Sequence, residues 1–316
     1  MKTVALGRTG IQVPVLAMGA ASLGSIYHPV SQHQADETVA AALTHEVNYF
    51  DVAPYYGLTK AETALGIALK GVARKSYTLA TKVGRYGDSQ WDFSREATLR
   101  SVDESLARLG TDYIDIIQCH DVEYGDLRQV VEEALPTLRE LQKSGVVRHV
   151  GITGYDLAFL EKLAIEQKVD TVMAYCTWTL QDRRLGAVAR RLNQAGIGVL
   201  NASPLSMGLL TRSGAPAWHP AHQEVQNACR AVSDLCDREG TPISQVALQF
   251  ALTTAAEQGI ASTVIGTASQ ENMLDNVRWS DRPLDGALLE KIDALLAPVL
   301  NLGWDVLPGN GGKAQK

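Results

Sequence analysis

The feature that most constrains this chain is an alternation. Short runs rich in β-branched and aromatic residues recur between longer stretches of helical periodicity. Eight runs read as strands: residues 15–19, 48–52, 77–83, 113–120, 149–153, 171–175, 198–203 and 262–266. The stretches between them are amphipathic. In Ser94–Leu109 a serine stands where it can cap the helix, and Leu99, Val102, Leu106 and Leu109 form one apolar stripe. Leu127–Lys143 carries a similar stripe through Val130, Val131, Ala134, Leu138 and Leu141. Pro136 is expected to kink that helix or divide it, because its ring displaces a helical hydrogen bond. Strand alternating with helix implies parallel strands and right-handed crossovers, and eight such units close a (β/α)8 TIM barrel more naturally than they build an open sheet.

A barrel of this kind occupies the whole 316-residue chain as one domain. The opening TVALGRTGIQVP reads as a hairpin turning at Gly7–Gly10 and covering the barrel bottom. The span 204–262 exceeds an ordinary loop-helix unit and is expected to make an excursion over the barrel mouth, as a lid. A helix is expected over Leu284–Leu296, and the tail from about residue 308 has nothing to pack and is read as disordered.

Composition narrows the function. Hydrophobic residues make up 46% and charged residues 20%, enough for a large core, and the net charge of −6 disfavours nucleic acid as a partner. There is no apolar leader with a small-residue cleavage site and no run of about 18 apolar residues, so membrane insertion is not expected and the cytoplasm is the expected location. Cys119, Cys176, Cys229 and Cys236 lack paired-cysteine spacing and read as buried thiols. Strand alternation turns Cys119 away from His120, and His219 and His222 have no acidic or thiol partner at zinc-site spacing, so no metal is expected.

Chemistry in such barrels gathers where strands end. Asp51, Lys82 and His120 sit at the ends of successive strands, spaced 31 and 38 residues apart, with Tyr56 on the loop after the first of them. Equal height at a shared mouth is the expectation. A phenol with a pKa of about 10 needs help to exchange a proton at neutral pH, and an ammonium within ~4–6 Å lowers such a value by about 1–3 pH units. Lys82 supplies the ammonium and Asp51 the counter-charge that a buried cation requires, leaving His120 to orient the reacting oxygen.

The motifs DVAPYYG (51–57), ATKVG (80–84) and QCHD (118–121) resemble the Asp, Tyr, Lys and His motifs of the aldo-keto reductase superfamily, and GITG (151–154), SPLSMGLL (203–210) and VIGTASQENMLDN (264–276) extend the match in order along the chain. The resemblance implies that Tyr56 is the general acid or base, tuned by Lys82 and Asp51, with His120 aligning the substrate. No GxGxxG follows a strand, so a dinucleotide would not bind in the Rossmann manner. By resemblance it lies extended across the mouth, with Gly19 and Asp51 beside it and Thr153 and Tyr175 at the nicotinamide. Ser203, Leu205 and Gly208 then lie at the pyrophosphate, and Gly266, Thr267, Ser269, Asn272, Asp275 and Asn276 at the adenosine. The chain departs from the usual pattern at Gly154 (asparagine), Tyr175 (glutamine) and Ala202 (an aromatic that stacks on the nicotinamide).

Between Gly259 and Val277 there is no lysine or arginine to meet a 2′-phosphate, so NAD is expected over NADP, with oxidation as the working direction. APYYGLTKAE (53–62), KVGRY (82–86), CHDVEYG (119–125), YCTW (175–178), WHPA (218–221) and NLGW (301–304) resemble the branch that oxidises aldoses such as L-galactose or L-fucose at C1. A small sugar is therefore the implied partner, with Asp121, Trp178 and Trp304 as its expected contacts. An aldehyde reductase would use the same scaffold. A non-catalytic nicotinamide-binding regulatory subunit would not need the intact set of Asp51, Tyr56, Lys82 and His120.

Overall fold

A computed structural model describes residues 1–304. Eight parallel strands form a closed barrel: β1 (Leu16–Gly19), β2 (Tyr49–Asp51), β3 (Thr78–Val83), β4 (Ile114–Cys119), β5 (Val147–Gly154), β6 (Thr171–Tyr175), β7 (Gly198–Ala202) and β8 (Ile260–Gly266), with β8 pairing β1. All eight expected strands are present. Two begin earlier than the apolar runs suggested, because Arg148 and His149 interrupt the pattern at the start of β5 and Ile260 follows the turn at Gly259. An additional two-stranded hairpin, Arg85–Gly87 with Gln90–Trp91, follows β3, and its polar sequence gave no strand signal.

The barrel interior is filled by Ala17, Tyr49, Ala80, Ile116, Met173, Leu200 and Val264. Leu6 and Val13 of the N-terminal hairpin (Thr3–Ala5 with Gln12–Pro14) join that cluster and close the bottom. Leu6 lies so close to Gly198 that a Cβ there would meet its side chain at 2.6 Å. The small residue at the start of β7 is what lets the plug seat.

Helices α1 (Gln32–Thr44), α2 (Lys60–Ala68), α3 (Arg95–Leu109), α4 (Leu135–Ser144), α5 (Leu157–Gln167), α6 (Leu185–Gln194), α7 (Gln223–Arg238), α8 (Ile243–Thr253), α9 (Gln270–Ser280) and α10 (Gly286–Leu296) surround the strands. Ser94 caps α3 by accepting from the Ala97 N–H at 3.2 Å, as the sequence suggested. The regular α-helix is divided, as expected, but by a wider turn before Pro136 and not by a break in the chain of helical residues. The chain is helical from Leu127, widens to a π-turn over Val130–Ala134, and resumes as α4 with proline in its first turn. There the Leu135 N–H reaches back five residues to the Val130 carbonyl, so the wider turn makes room for the ring.

The long span after β7 is only partly an excursion. Helices α7 and α8 take up most of it, and α7 packs against α10 on the barrel flank. The non-helical part is 204–222, where the His219 ring lies 5.4 Å edge-on to Trp304. Both His219 nitrogens are engaged: Nε2 lies 2.8 Å from the Ser206 carbonyl and Nδ1 accepts from the Ala221 N–H at 3.1 Å. All four cysteines are buried, with Cys119 in the strand-helix layer. Among the described residues no helix is long and apolar enough to cross a membrane. The tail from about residue 308 lies outside the described residues.

Truncating the plug tests its role as the floor of the core. Leu6→Ala is expected to cost about 2–5 kcal/mol in denaturant unfolding while leaving ligand affinities at the opposite end unchanged.

Candidate active site

At the C-terminal end of the barrel β2, β3 and β4 deliver Asp51, Lys82 and His120. They are not level along the sheet, as expected from spacing alone. Asp51 pairs with Ala80, and Lys82 pairs with Gln118, so each successive group lies two residues further along its strand. Strand tilt recovers about one residue per strand in a barrel of this shear, and the long lysine side chain spans the rest. Lys82, only 1% exposed, donates from Nζ to Asp51 Oδ1 at 2.5 Å and to the Val52 carbonyl at 2.9 Å. Gln118 Nε2 donates to Asp51 Oδ2 at 3.0 Å, so both carboxylate oxygens are held. The Tyr56 ring centre is 4.9 Å from Lys82 Nζ, and the His120 ring stands edge-on to it at 5.5 Å.

Burial raises the Tyr56 phenol to about 12, against the pull of the Lys82 ammonium by charge and hydrogen bonding. The ammonium therefore acts in the expected direction, but desolvation outweighs it here and the phenol does not fall below its ordinary value. Desolvation drives His120 down to about 3, with the Lys82 and Arg85 cations adding to the fall, so its imidazole is neutral. His120 Nδ1 is buried without a hydrogen-bond partner. Lys82 stays charged: burial opposes ionisation, but Asp51 and Tyr56 raise it above the ordinary lysine value.

The far side of the mouth holds a second charged group. Asp121, in a left-handed conformation (φ 51°), is buried, pairs with Arg85 and accepts from Thr153 Oγ1 at 3.4 Å, while its own N–H donates to Thr153 Oγ1 at 3.0 Å. Arg85 lies over the Tyr55 ring at 3.9 Å and 5.1 Å from that of Trp91. Three aromatic rings descend toward the end of β6: Trp304 stacks on Tyr155 at 4.6 Å, and Tyr155 lies 5.6 Å from Tyr175. After β7, Ser203, Ser206 and Met207 adopt left-handed φ values of 56°, 48° and 51°, followed by Gly208 at 100°, with Leu205 partly buried among them. Such runs cost energy and gather at ligand-holding loops. Next to it Gly19 pairs with Gly266, Thr267 Oγ1 accepts from the Ser269 N–H at 3.1 Å, and Ser269 caps α9, which carries Asn272, Asp275 and the buried Asn276.

The Aldo/keto reductase family model matches residues 15–297. The chain belongs to the aldo-keto reductase family. It is 40% identical to L-galactose dehydrogenase of Arabidopsis thaliana over 95% of this chain and 96% of that one, and 32% identical to D-arabinose 1-dehydrogenase of Saccharomyces cerevisiae over 89% of each. Among solved structures it is similar to the holo form of the aldo-keto reductase AKR11C1 from Bacillus halodurans, with a TM-score of 0.75 and 27% identity over 93% of this chain and 96% of that one. Enzymes of this family work with nicotinamide cofactors.

For this aldo-keto reductase the structure gathers Asp51, Tyr56, Lys82, His120, Asp121, Thr153 and Tyr175 at one mouth and excludes Trp178. The chain turns at Cys176 (φ 58°) and carries Trp178 outward, 5% exposed, onto Phe250 of α8 at 5.6 Å. It is a packing residue and not a sugar contact. Position 275 also differs from its expected setting: Arg278, one residue beyond the cation-free stretch, pairs with Asp275 one helical turn away. Sequence reasoning passed over Gln118, Arg85, Tyr55, Glu123 and Tyr155. Arg85 was the findable one, a cation three residues past Lys82 at the end of the apolar run of β3.

The Lys82–Asp51 pair yields a stability test. Lys82→Met leaves a buried carboxylate without its counter-charge and is expected to cost about 3–5 kcal/mol in urea unfolding. Adding Asp51→Asn in the same chain should restore most of that loss, because the orphaned charge is then gone.

Proposed function

We propose that this aldo-keto reductase oxidises an aldose at C1, L-galactose to its lactone, using NAD. The observation that carries the chemistry is the buried Lys82–Asp51 pair beside the Tyr56 ring and the neutral His120 imidazole. The similarity to two sugar dehydrogenases, one of them a 1-dehydrogenase, carries the substrate class.

The mouth suits an extended dinucleotide: a left-handed backbone run after β7 and the Ser269-capped start of α9. Thr153 and Tyr175 would hold the nicotinamide end, residues 203–208 the pyrophosphate, and residues 266–276 the adenosine. When bound, the cofactor would supply the hydride acceptor for the sugar's C1. Tyr56, once ionised to the phenolate, takes the proton from the anomeric hydroxyl of the same carbon, and the Lys82 ammonium stabilises that phenolate in a dry setting where its charge counts most. His120, neutral, orients the hydroxyl without competing for its proton. Asp121 accepts from the remaining hydroxyls, Arg85 fixes that carboxylate, and the Trp304 ring gives the sugar an apolar wall.

The preference for NAD rests on the adenosine wall. Residues 259–277 contain no cation, and the Arg278 guanidinium just beyond them is already paired with Asp275. A 2′-phosphate would meet hydroxyls and a carboxylate there.

Reduced cofactor formation, followed with L-galactose, L-fucose, D-arabinose and simple aldehydes, should be fastest with L-galactose and NAD+. A clear preference for NADP+ would overturn the cofactor assignment, and turnover of aldehydes alone in the reductive direction would overturn the substrate. Tyr56→Phe is expected to lower kcat by about 10²-fold or more with binding little changed. Because the Tyr56 phenol stands at about 12 before ligands bind, the oxidation rate should climb with pH across the neutral and alkaline range. His120, held near 3, should add no inflection there.

A further inference from the structure

The Lys82 ammonium has three N–H bonds, and Asp51 Oδ1 and the Val52 carbonyl take two of them. Two acceptors compete for the third. One is the Tyr56 hydroxyl, within hydrogen-bonding reach of Nζ on a ring centred 4.9 Å away, and the other is the second oxygen of Asp51. A carboxylate offers both its oxygens to a cation, so a bare Oδ2 would draw that N–H to itself and away from the phenol.

Oδ2 is not bare, because Gln118 Nε2 donates to it at 3.0 Å. Gln118 is fully buried and stands beside Lys82 in the strand register, so its amide reaches the carboxylate from the strand next to the lysine's own. Its Oε1 is buried without a hydrogen-bond partner, so Asp51 is what the side chain holds. Turned the other way, the amide would set Oε1 against a charged oxygen, and the carboxylate thus keeps the NH2 facing it. In register on the far side of Gln118 stands Gly151 of β5, whose backbone is not left-handed. A Cβ there would crowd Thr171 Oγ1 at 2.2 Å and Gln118 Cγ at 3.3 Å, so the glycine lets both side chains lie over it. The other titratable groups in electrostatic reach of the ion pair are Tyr49, whose hydroxyl is buried and unpaired, and Tyr56, His120 and Asp121 at the mouth. Among the described residues it is Gln118 that donates to Oδ2 alone of these neighbours.

We propose that Gln118 is a positioning residue for the proton exchange: by occupying Asp51 Oδ2 it leaves the third N–H of Lys82 to the Tyr56 oxygen. This rests on Tyr56 as the group that takes the substrate's proton, as in the proposed function. With Gln118 in place, the phenolate formed at Tyr56 meets both the charge of Lys82 and one of its N–H bonds. Without it, the ammonium turns to both oxygens of Asp51 and the phenolate keeps the charge alone. Gln118 acts through Asp51 and Lys82 and takes no proton itself.

Two variants of the full chain separate the donor from the space it fills. Gln118→Met keeps the length of the side chain and removes the N–H, whereas Gln118→Glu donates to Asp51 only while its new carboxyl is protonated. Each is read first without turnover, from the ¹⁹F pH titration of a fluorinated tyrosine at position 56. The midpoint should rise by roughly one pH unit in Gln118→Met, and by more in Gln118→Glu once the added carboxylate faces Asp51. Single-turnover reduction of NAD+ by L-galactose should then run roughly tenfold lower than wild type at every pH in Gln118→Met. In Gln118→Glu it should match wild type at low pH and fall away as the new carboxyl ionises. An unmoved midpoint in folded Gln118→Met overturns the proposal, and so does a Gln118→Glu rate that climbs with pH as that of wild type does. A wild type that oxidises no aldose would sink the proposed function instead, while the ¹⁹F midpoints still decide the role of Gln118.

Discussion

Keeping Lys82 ionised inside the mouth is the condition on which the remainder of the site depends. An unpaired ammonium at 1% exposure would shed its proton or unfold its surroundings. Asp51 prevents this with a 2.5 Å hydrogen bond, Val52 adds a carbonyl, and Gln118 holds the second carboxylate oxygen. The fixed cation then stands 4.9 Å from the Tyr56 ring, in surroundings dry enough for its field to matter. Desolvation and the ammonium pull the phenol in opposite directions, and the balance sets how readily Tyr56 exchanges a proton.

Across the mouth two carboxylates are driven apart by their surroundings. Burial opposes ionisation of Asp121, but Arg85, by charge and hydrogen bond, and the Lys82 ammonium hold the carboxyl below its ordinary value. Glu123, without a cation and next to that charge, rises to about 7. Two acids two residues apart in the chain thus take different protonation behaviour, a pattern common where a site needs one fixed charge and one adaptable group. Arg85, packed against Tyr55, ties the two halves together, since the same Tyr55 ring lies 6.0 Å from His120.

The strands and the bottom plug were legible because burial on both faces forces continuous apolar runs, and parallel pairing leaves few other arrangements. The polar residues at strand ends were legible for the converse reason: Lys82 has no place in an apolar run without a partner. Register was not legible. That Lys82 lies beside Gln118 and not beside His120 follows from barrel shear, which no local pattern encodes. Trp178 was misplaced because a left-handed turn at Cys176 reverses the side chain's direction, and a non-glycine residue in that conformation gives no signal. The form of the interruption at Pro136, a wider turn, was not legible because proline alone does not say how the helix will accommodate it. Glu123 went unnoticed since its partners are backbone N–H groups more than thirty residues away, and a Cβ at the departure Gly154 would stand 2.2 Å from Glu123 Oε2, a closeness no local pattern shows.

The coupling between ammonium and phenol is most directly measured by placing a fluorinated tyrosine, which ionises at lower pH, at position 56 and following its ¹⁹F resonance through a pH titration. The comparison is between the otherwise native chain and Asp51→Asn/Lys82→Met, which removes the ion pair without leaving a lone charge. The phenol should ionise at distinctly higher pH once the ammonium is gone. Equal midpoints in the two proteins would mean that Lys82 does not act on Tyr56, and the account of the site would be wrong at its base.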